Sequence, residues 1–130
     1  MKKLTHKNIK PYGRIIDRKF MKDDGRGDKF AVLLKERSAG WRIGYLILRT
    51  KKLEKLERHP DSLETFEPVR GRCAIALAAN GQPDKVEMFF LDRPIVLKKG
   101  VWHNVAAISE ECEIKIFENI EVKTKYHDIL

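Results

Sequence analysis

Cysteine is scarce in this chain, with only Cys73 and Cys112 among 130 residues. They stand in RCAIALA and ECEIKIF, at a spacing that matches no zinc or thiol-redox motif. A disulfide framework is therefore not expected, and both are read as reduced core or flank residues. Long hydrophobic runs are missing too. No stretch of eighteen apolar residues occurs, and the opening MKKLTHKNIKPY turns polar and reaches a proline at once, leaving no signal-type apolar region. The expectation is a soluble, cytoplasmic protein with no membrane partner. Aromatic residues make up only 8% and are not interleaved with the basic ones, which argues against a nucleic-acid partner. There is no P-loop, no nucleophile elbow and no Ser, His and Asp order, so covalent nucleophilic catalysis is disfavoured. GRG at 25–27, between Asp24 and Asp28, precedes no helix start and reads as a hairpin turn rather than a phosphate cradle.

What the chain has in plenty is charge, 35% of its residues, dense in KKLEKLER and ECEIKIFENIEVKTK. A net charge of +8 favours a polyanion or an acidic small molecule over a basic one, although a solvated lysine-rich surface accounts for most of it. The length suits one domain, residues 1–130, large enough to bury a core without staples.

Period two dominates the pattern. DKFAVLLKER (28–37), WRIGYLILRT (41–50), RCAIALAA (72–79), VEMFFL (86–91), PIVLKK (94–99), VAAIS (105–109) and CEIKIFE (112–118) are each of strand length. The turn signals DDGRGD, SAG, HPDS, RG, NGQPD, DRP and KKG separate them at intervals that suit an antiparallel sandwich or barrel. An all-β fold follows. Residues 51–58 carry helix-favouring Lys, Glu and Leu, but HPDS stops any helix at once, and a strand is the preferred reading there.

Four side chains stand out as donors. If the chain around Glu57 is extended, Glu57 and His59 point to one face, because side chains alternate along a strand. The Pro, Asp and Ser of HPDS then favour a turn that brings Glu64 back to that face. A second imidazole, His103 in KGVWHN, completes a mixed N and O set of the kind that suits Zn, Mn, Fe or Ni rather than Ca or Mg. Glu57, His59, Glu64 and His103 are thus the candidate metal ligands, with Glu57, Glu64 and His103 as candidate catalytic groups. His6 and His127 lie near the ends and are expected at the surface. Trp102 and Trp41 offer large apolar area, Trp102 being expected in the core and also a candidate pocket wall, and Lys98, Lys99 and Arg70 are candidates to attract a carboxylate substrate.

These residues also carry a resemblance. The first motif of the cupin superfamily has two His separated by one residue, then a Glu and later a Gly; here Glu57, His59, Glu64 and Gly71 occupy those places. The second motif has a His three residues after a Gly, as in Gly100, Val101, Trp102 and His103, while Lys98 replaces its Pro and Ala107 its Asn. More specifically, LERHP at 56–60, TFEPVRG at 65–71, GVWHN at 100–104 and IKPYGRIID at 9–17 resemble the ureidoglycolate lyase family, also called ureidoglycolate hydrolase, within the cupins. Two departures stand out: that family tends to have Gln at the place of Glu64 and a second His at the place of Asn104.

The resemblance implies a cupin-type antiparallel β-barrel (a double-stranded β-helix or jelly roll) and a homodimer. It also implies cleavage of a small, anionic substrate, ureidoglycolate, to glyoxylate and urea. Two alternatives stand beside it: a cupin enzyme acting on another small acid or sugar derivative, and a non-catalytic small-ligand-binding cupin. A nucleic-acid-binding role, prompted only by the positive charge, is a further contrast.

Overall fold

The computed structural model describes residues 1–19, 21, 23 and 25–129. Among these there are eleven strands and no helix: β1 Lys2–Lys3, β2 Gly13–Ile15, β3 Trp41–Leu48, β4 Lys55–Arg58, β5 Glu64–Arg70, β6 Cys73–Ala78, β7 Glu87–Phe90, β8 Ile95–Leu97, β9 Trp102–Ala107, β10 Cys112–Asn119 and β11 Lys125–Asp128. They form two sheets. One runs in the order β1-β7-β6-β9-β4-β11 and the other β2-β8-β5-β10-β3, antiparallel throughout except where β1 lies parallel to β7. This is the all-β, largely antiparallel two-sheet architecture expected of the alternating pattern, in the jelly-roll form that the cupin resemblance implies.

The main core lies between the sheets and includes Ile75, Leu77, Phe89, Ile95, Leu97 and Ile114, all with essentially no exposed surface. β6 shows how the sequence builds it. In Cys73-Ala-Ile-Ala-Leu-Ala78 the larger side chains Cys73, Ile75 and Leu77 join the core, while the small Ala76 and Ala78 join a second cluster with Leu56 and Trp102. The six-stranded sheet is therefore covered on both faces, and all six residues of β6 are buried.

Three expectations change. Residues 28–37 form no strand: beyond one bridge from Lys29 to Asp23 the segment has no ladder partner, and Phe30 and Val32 stay exposed. Period two marks a chain that can be extended, but it supplies no neighbouring edge. The GRG turn itself holds, with Asp23 Oδ1 accepting the Gly25 N–H at 2.7 Å; Asp24 lies outside the described residues. The strand expected over 105–109 begins earlier, at Trp102, and ends at Ala107. Finally, residues 64–70, unassigned from the pattern, form β5 at the centre of the second sheet. Pro68 hid it, since proline interrupts a ladder, and the pairing register indeed shifts opposite it, between Glu113 and Ile114.

Residues 51–58 contain the strand β4 and no helix. That outcome sets the geometry of the donors.

Candidate functional site

Glu57 on β4 stands directly opposite His103 on β9 in the six-stranded sheet. Leu56 belongs to the outer cluster, so alternation turns Glu57 inward; Val105, on the same face of β9 as His103, lies in the core. His59 follows β4 by one residue, on the same side as Glu57. The turn after it closes with a Ser62 N–H to His59 O contact of 3.5 Å, and the Gly100 N–H donates to the same carbonyl at 3.0 Å. Glu64 then begins β5. The loop thus carries Glu64 to the opposing sheet, where it faces the other three donors, rather than back to their own face.

All four side chains meet between the sheets. His103 Nε2 lies 2.8 Å from Glu64 Oε1 and 3.6 Å from Glu57 Oε1. His59 Nε2 lies 3.2 Å from Glu64 Oε1 and 3.8 Å from Glu57 Oε1. His59, Glu64 and His103 are buried, and the Glu57 side chain is 34% exposed. The other ring nitrogens are tied down. A carbonyl can only accept, so Nδ1–H of His59 donates to Lys123 O at 3.2 Å and Nδ1–H of His103 to Val101 O at 3.0 Å. Each imidazole is therefore oriented with Nε2 aimed at the carboxylates. Phe66 braces the His103 ring edge-on, with centroids 5.5 Å apart.

The electrostatics follow from this packing. Burial pushes the His103 imidazole down, but the carboxylates of Glu57 and Glu64 outweigh it and lift it to about 10. Burial works downward on His59 too, and Glu64 again reverses it, for a net rise. Glu64 feels the converse: burial pushes it up, while His103 and His59 pull it down to about 2. A negative carboxylate thus lies between imidazoles that hold their protons.

The same set fits a divalent transition ion. Ligand atoms about 2.1 Å from a tetrahedral ion lie roughly 3.4 Å from one another. The four His–Glu separations, 2.8–3.8 Å, bracket that value. A stronger sign is that Glu64 Oε1 and His103 Nε2 are both buried with no hydrogen-bond partner, their 2.8 Å approach being an ion-pair contact without hydrogen-bond alignment. Buried polar atoms are rarely left so, and a shared ion is one way to satisfy both. Glu57, His59 and His103 lie within 4.8 Å of one another, and so do His59, Glu64 and Glu118.

Glu118 was not foreseen. It pairs with Glu64 across the β5–β10 ladder, and burial followed by the nearby charge of Glu64 raises it, while Arg42 binds it at 2.8 Å. The signal was present in β10, where Cys112, Ile114 and Ile116 put even-numbered residues on the inner face, so that Glu118 continues the row.

Other expected site residues lie elsewhere. Trp102 faces away from His103, in the outer cluster with Leu56, Ala76 and Ala78, because neighbours on a strand point to opposite faces; it does not wall the pocket. Trp41 is 65% exposed on the edge strand β3. His6 is half-buried, its Nε2 2.7 Å from Asp17 Oδ2, and His127 lies 2.9 Å from Asp84 against the Trp102 ring, so neither is simply a free surface imidazole. Lys98 borders the void beside His59 and His103, whereas Lys99 pairs with Glu36 and Arg70 lies at the far end of β5. Asn104 Nδ2 donates to Lys55 O at 2.8 Å, away from the donors, so this departure from the family pattern leaves the four-residue set intact.

No family model matches the chain, and no curated protein matches it. Solved structures do resemble it. The capsular polysaccharide assembling protein CapF of Staphylococcus aureus superposes with a TM-score of 0.59 at 17% identity, covering 85% of this chain and 32% of that one. A dTDP sugar isomerase from Desulfovibrio desulfuricans gives 0.52 at 12% identity over 92% of this chain and 82% of that one. A cupin 2 domain-containing protein from Halorhodospira halophila gives 0.50 at 17% identity, covering 71% and 60%. The oxalate decarboxylase of Bacillus subtilis, a protein with Mn(II) centres, gives 0.50 at 13% identity over 68% of this chain and 24% of that one. The chain thus spans about a third of CapF and a quarter of the decarboxylase. At these identities the likeness concerns the fold, and the fold is the cupin-type jelly roll.

Proposed function

We propose that the chain is a metal-dependent cupin enzyme acting on a small anionic substrate, and that its reaction is the cleavage of ureidoglycolate to glyoxylate and urea. One observation carries the metal half of this reading: buried Glu64 Oε1 and His103 Nε2, 2.8 Å apart but without an aligned hydrogen bond, converge with His59 and Glu57. The substrate half is supported by ERHP at 57–60 and GVWH at 100–103. His59, Glu64 and His103 would hold a Zn, Mn, Fe or Ni ion with Glu57 at its open side, and such an ion supplies Lewis-acid polarisation of a hydroxyl or carboxylate oxygen.

The remaining work falls to the chain's own groups. Lys98, exposed at the wall of the void, draws the substrate carboxylate inward. Glu57 reaches solvent while touching both imidazoles and accepts the hydroxyl proton of ureidoglycolate. The O–H electron pair becomes the new C=O of glyoxylate, the C–N bond breaks, and Glu57 returns its proton to the departing urea nitrogen. Atoms balance without a redox partner. The void beside His59 and His103 has no room even for a water molecule, far below the usual 300–1,000 Å³ of ligand pockets, so turnover requires the wall at Lys98 and Val101 to open.

The same tightness favours a second reading, in which the ion ties the two sheets together without turnover, since closed metal sites are structural and open ones catalytic. The test is release of urea and glyoxylate by purified protein of measured metal content. Turnover that disappears in the His59→Ala/His103→Ala variant supports the enzyme. Bound metal with no turnover above that variant would sink the lyase and leave the structural ion.

A further inference from the structure

We propose that the opposite end of the sandwich holds a second binding site, for a small organic dianion with an apolar or planar body. A cavity of about 540 Å³ opens there, within the usual range for small-molecule pockets. It is distinct from the His/Glu centre. Glu64 begins β5 and Arg70 ends it, and at roughly 3.3 Å per residue those ends stand about 20 Å apart.

Its lining combines charge with apolar surface. Lys3 of β1, Arg70 and Arg72 bring three cations to the rim against one carboxylate, Asp92, which itself has Arg93 Nε at 3.8 Å. The guanidinium of Arg72 lies 5.7 Å from the ring centroid of Phe90, and Val69 and Leu91 complete an apolar floor. Arg70 has an acid nearby, Glu113, but at 3.9 Å and with its side chain 82% exposed, a contact weak enough to yield to a ligand. Two guanidinium forks and an ammonium match the oxygens of a phosphate or a pair of carboxylates, and the floor has no use for a bare inorganic ion.

The scaffold beneath these side chains is fixed. Between the arginines, Gly71 adopts φ +76°, and a Cβ there would lie 2.4 Å from Glu111 O, so the turn admits glycine alone. Arg72 is held through its backbone, its N–H donating to Ser109 Oγ at 2.9 Å and its carbonyl accepting from Ile108 N–H at 2.8 Å. The VRGR turn thus fixes the backbone from which both arginine side chains border the cavity.

The test is calorimetric titration of the full chain with phenyl phosphate at low salt, with inorganic phosphate as a parallel arm. Expected are saturable binding of phenyl phosphate, weaker binding of inorganic phosphate, and a loss of about tenfold or more in Arg70→Ala/Arg72→Ala. Affinity should be unchanged in His59→Ala/His103→Ala. Equal affinity for the two phosphates overturns the organic body, and undiminished binding by the arginine variant overturns the site. Should that variant fold poorly, amide NMR shifts on the native protein decide: changes at Lys3, Gly71, Arg72 and Phe90 support the site, and changes at residues 98–103 refute it.

Discussion

Replacing Glu64 by glutamine keeps the shape of the buried centre and removes the charge on which both histidines depend. In the metal-free protein the effect can be worked from the pairing itself. Glu64 falls from its ordinary 4.5 to about 2, and each unit corresponds to about 1.4 kcal/mol, so the carboxylate contributes about 3 kcal/mol. That agrees with the 3–5 kcal/mol typical of breaking a buried pair from one side. Because its folded value is depressed, the Glu64 contribution is present above about pH 4.5 and fades as pH falls toward 2. His103, raised to about 10, contributes fully below its unfolded value near 6.5, and that contribution is lost as pH rises through 10. The penalty of Glu64→Gln should therefore be greatest between about pH 4.5 and 6.5 and shrink toward pH 9, where the variant simply releases the histidine proton. Urea unfolding of chelator-treated wild type and variant across pH 4–9 measures it, and a midpoint loss of about 10 °C is expected alongside. A difference below about 1 kcal/mol at pH 5.5, or one that does not vary with pH, would refute the reasoning.

Two further outcomes follow from geometry already described. Zinc binding to His59 and His103 must displace protons that Glu57 and Glu64 hold there, so titration in weak buffer should release roughly one or two protons per ion and affinity should rise with pH; uptake without proton release would mean that the ion binds elsewhere. On β3, an edge strand, Trp41, Ile43, Tyr45 and Ile47 expose a continuous apolar row, for which a second copy of the chain is the proposed cover. Light scattering should then give a dimer mass that falls to the monomer in Ile43→Lys, and a monomeric wild type at micromolar concentration would dispose of the idea.

Much of this architecture can be read along the chain, and what hides has physical causes. The run CAIALA discloses a strand covered on both sides, large residues inward and alanines outward, because only a pleated strand separates them so cleanly. DKFAVLLKER has equally good alternation but no neighbouring edge, and edges are set by topology, which local pattern does not encode. β5 was concealed by Pro68, and Glu118 by its distance in sequence from the other acids, although its place in the even-numbered row of β10 gave the direction of its side chain. The pairing of Glu57 and His59 was legible because residues two apart on extended chain share a face, and His59 continues the direction of β4 just past its end. That Glu64 approaches from the facing sheet was not, since the outcome of a turn depends on where the next strand finds its partners.

Donors at 57, 59, 64 and 103 come from both sheets, and no hairpin of neighbouring strands contains them all. The centre is therefore complete only once the two sheets stack in register. Assembly that depends on such distant pairings is slow. An ion captured there would act as a latch on the finished molecule, and its coordination spectrum would time the completion of the fold.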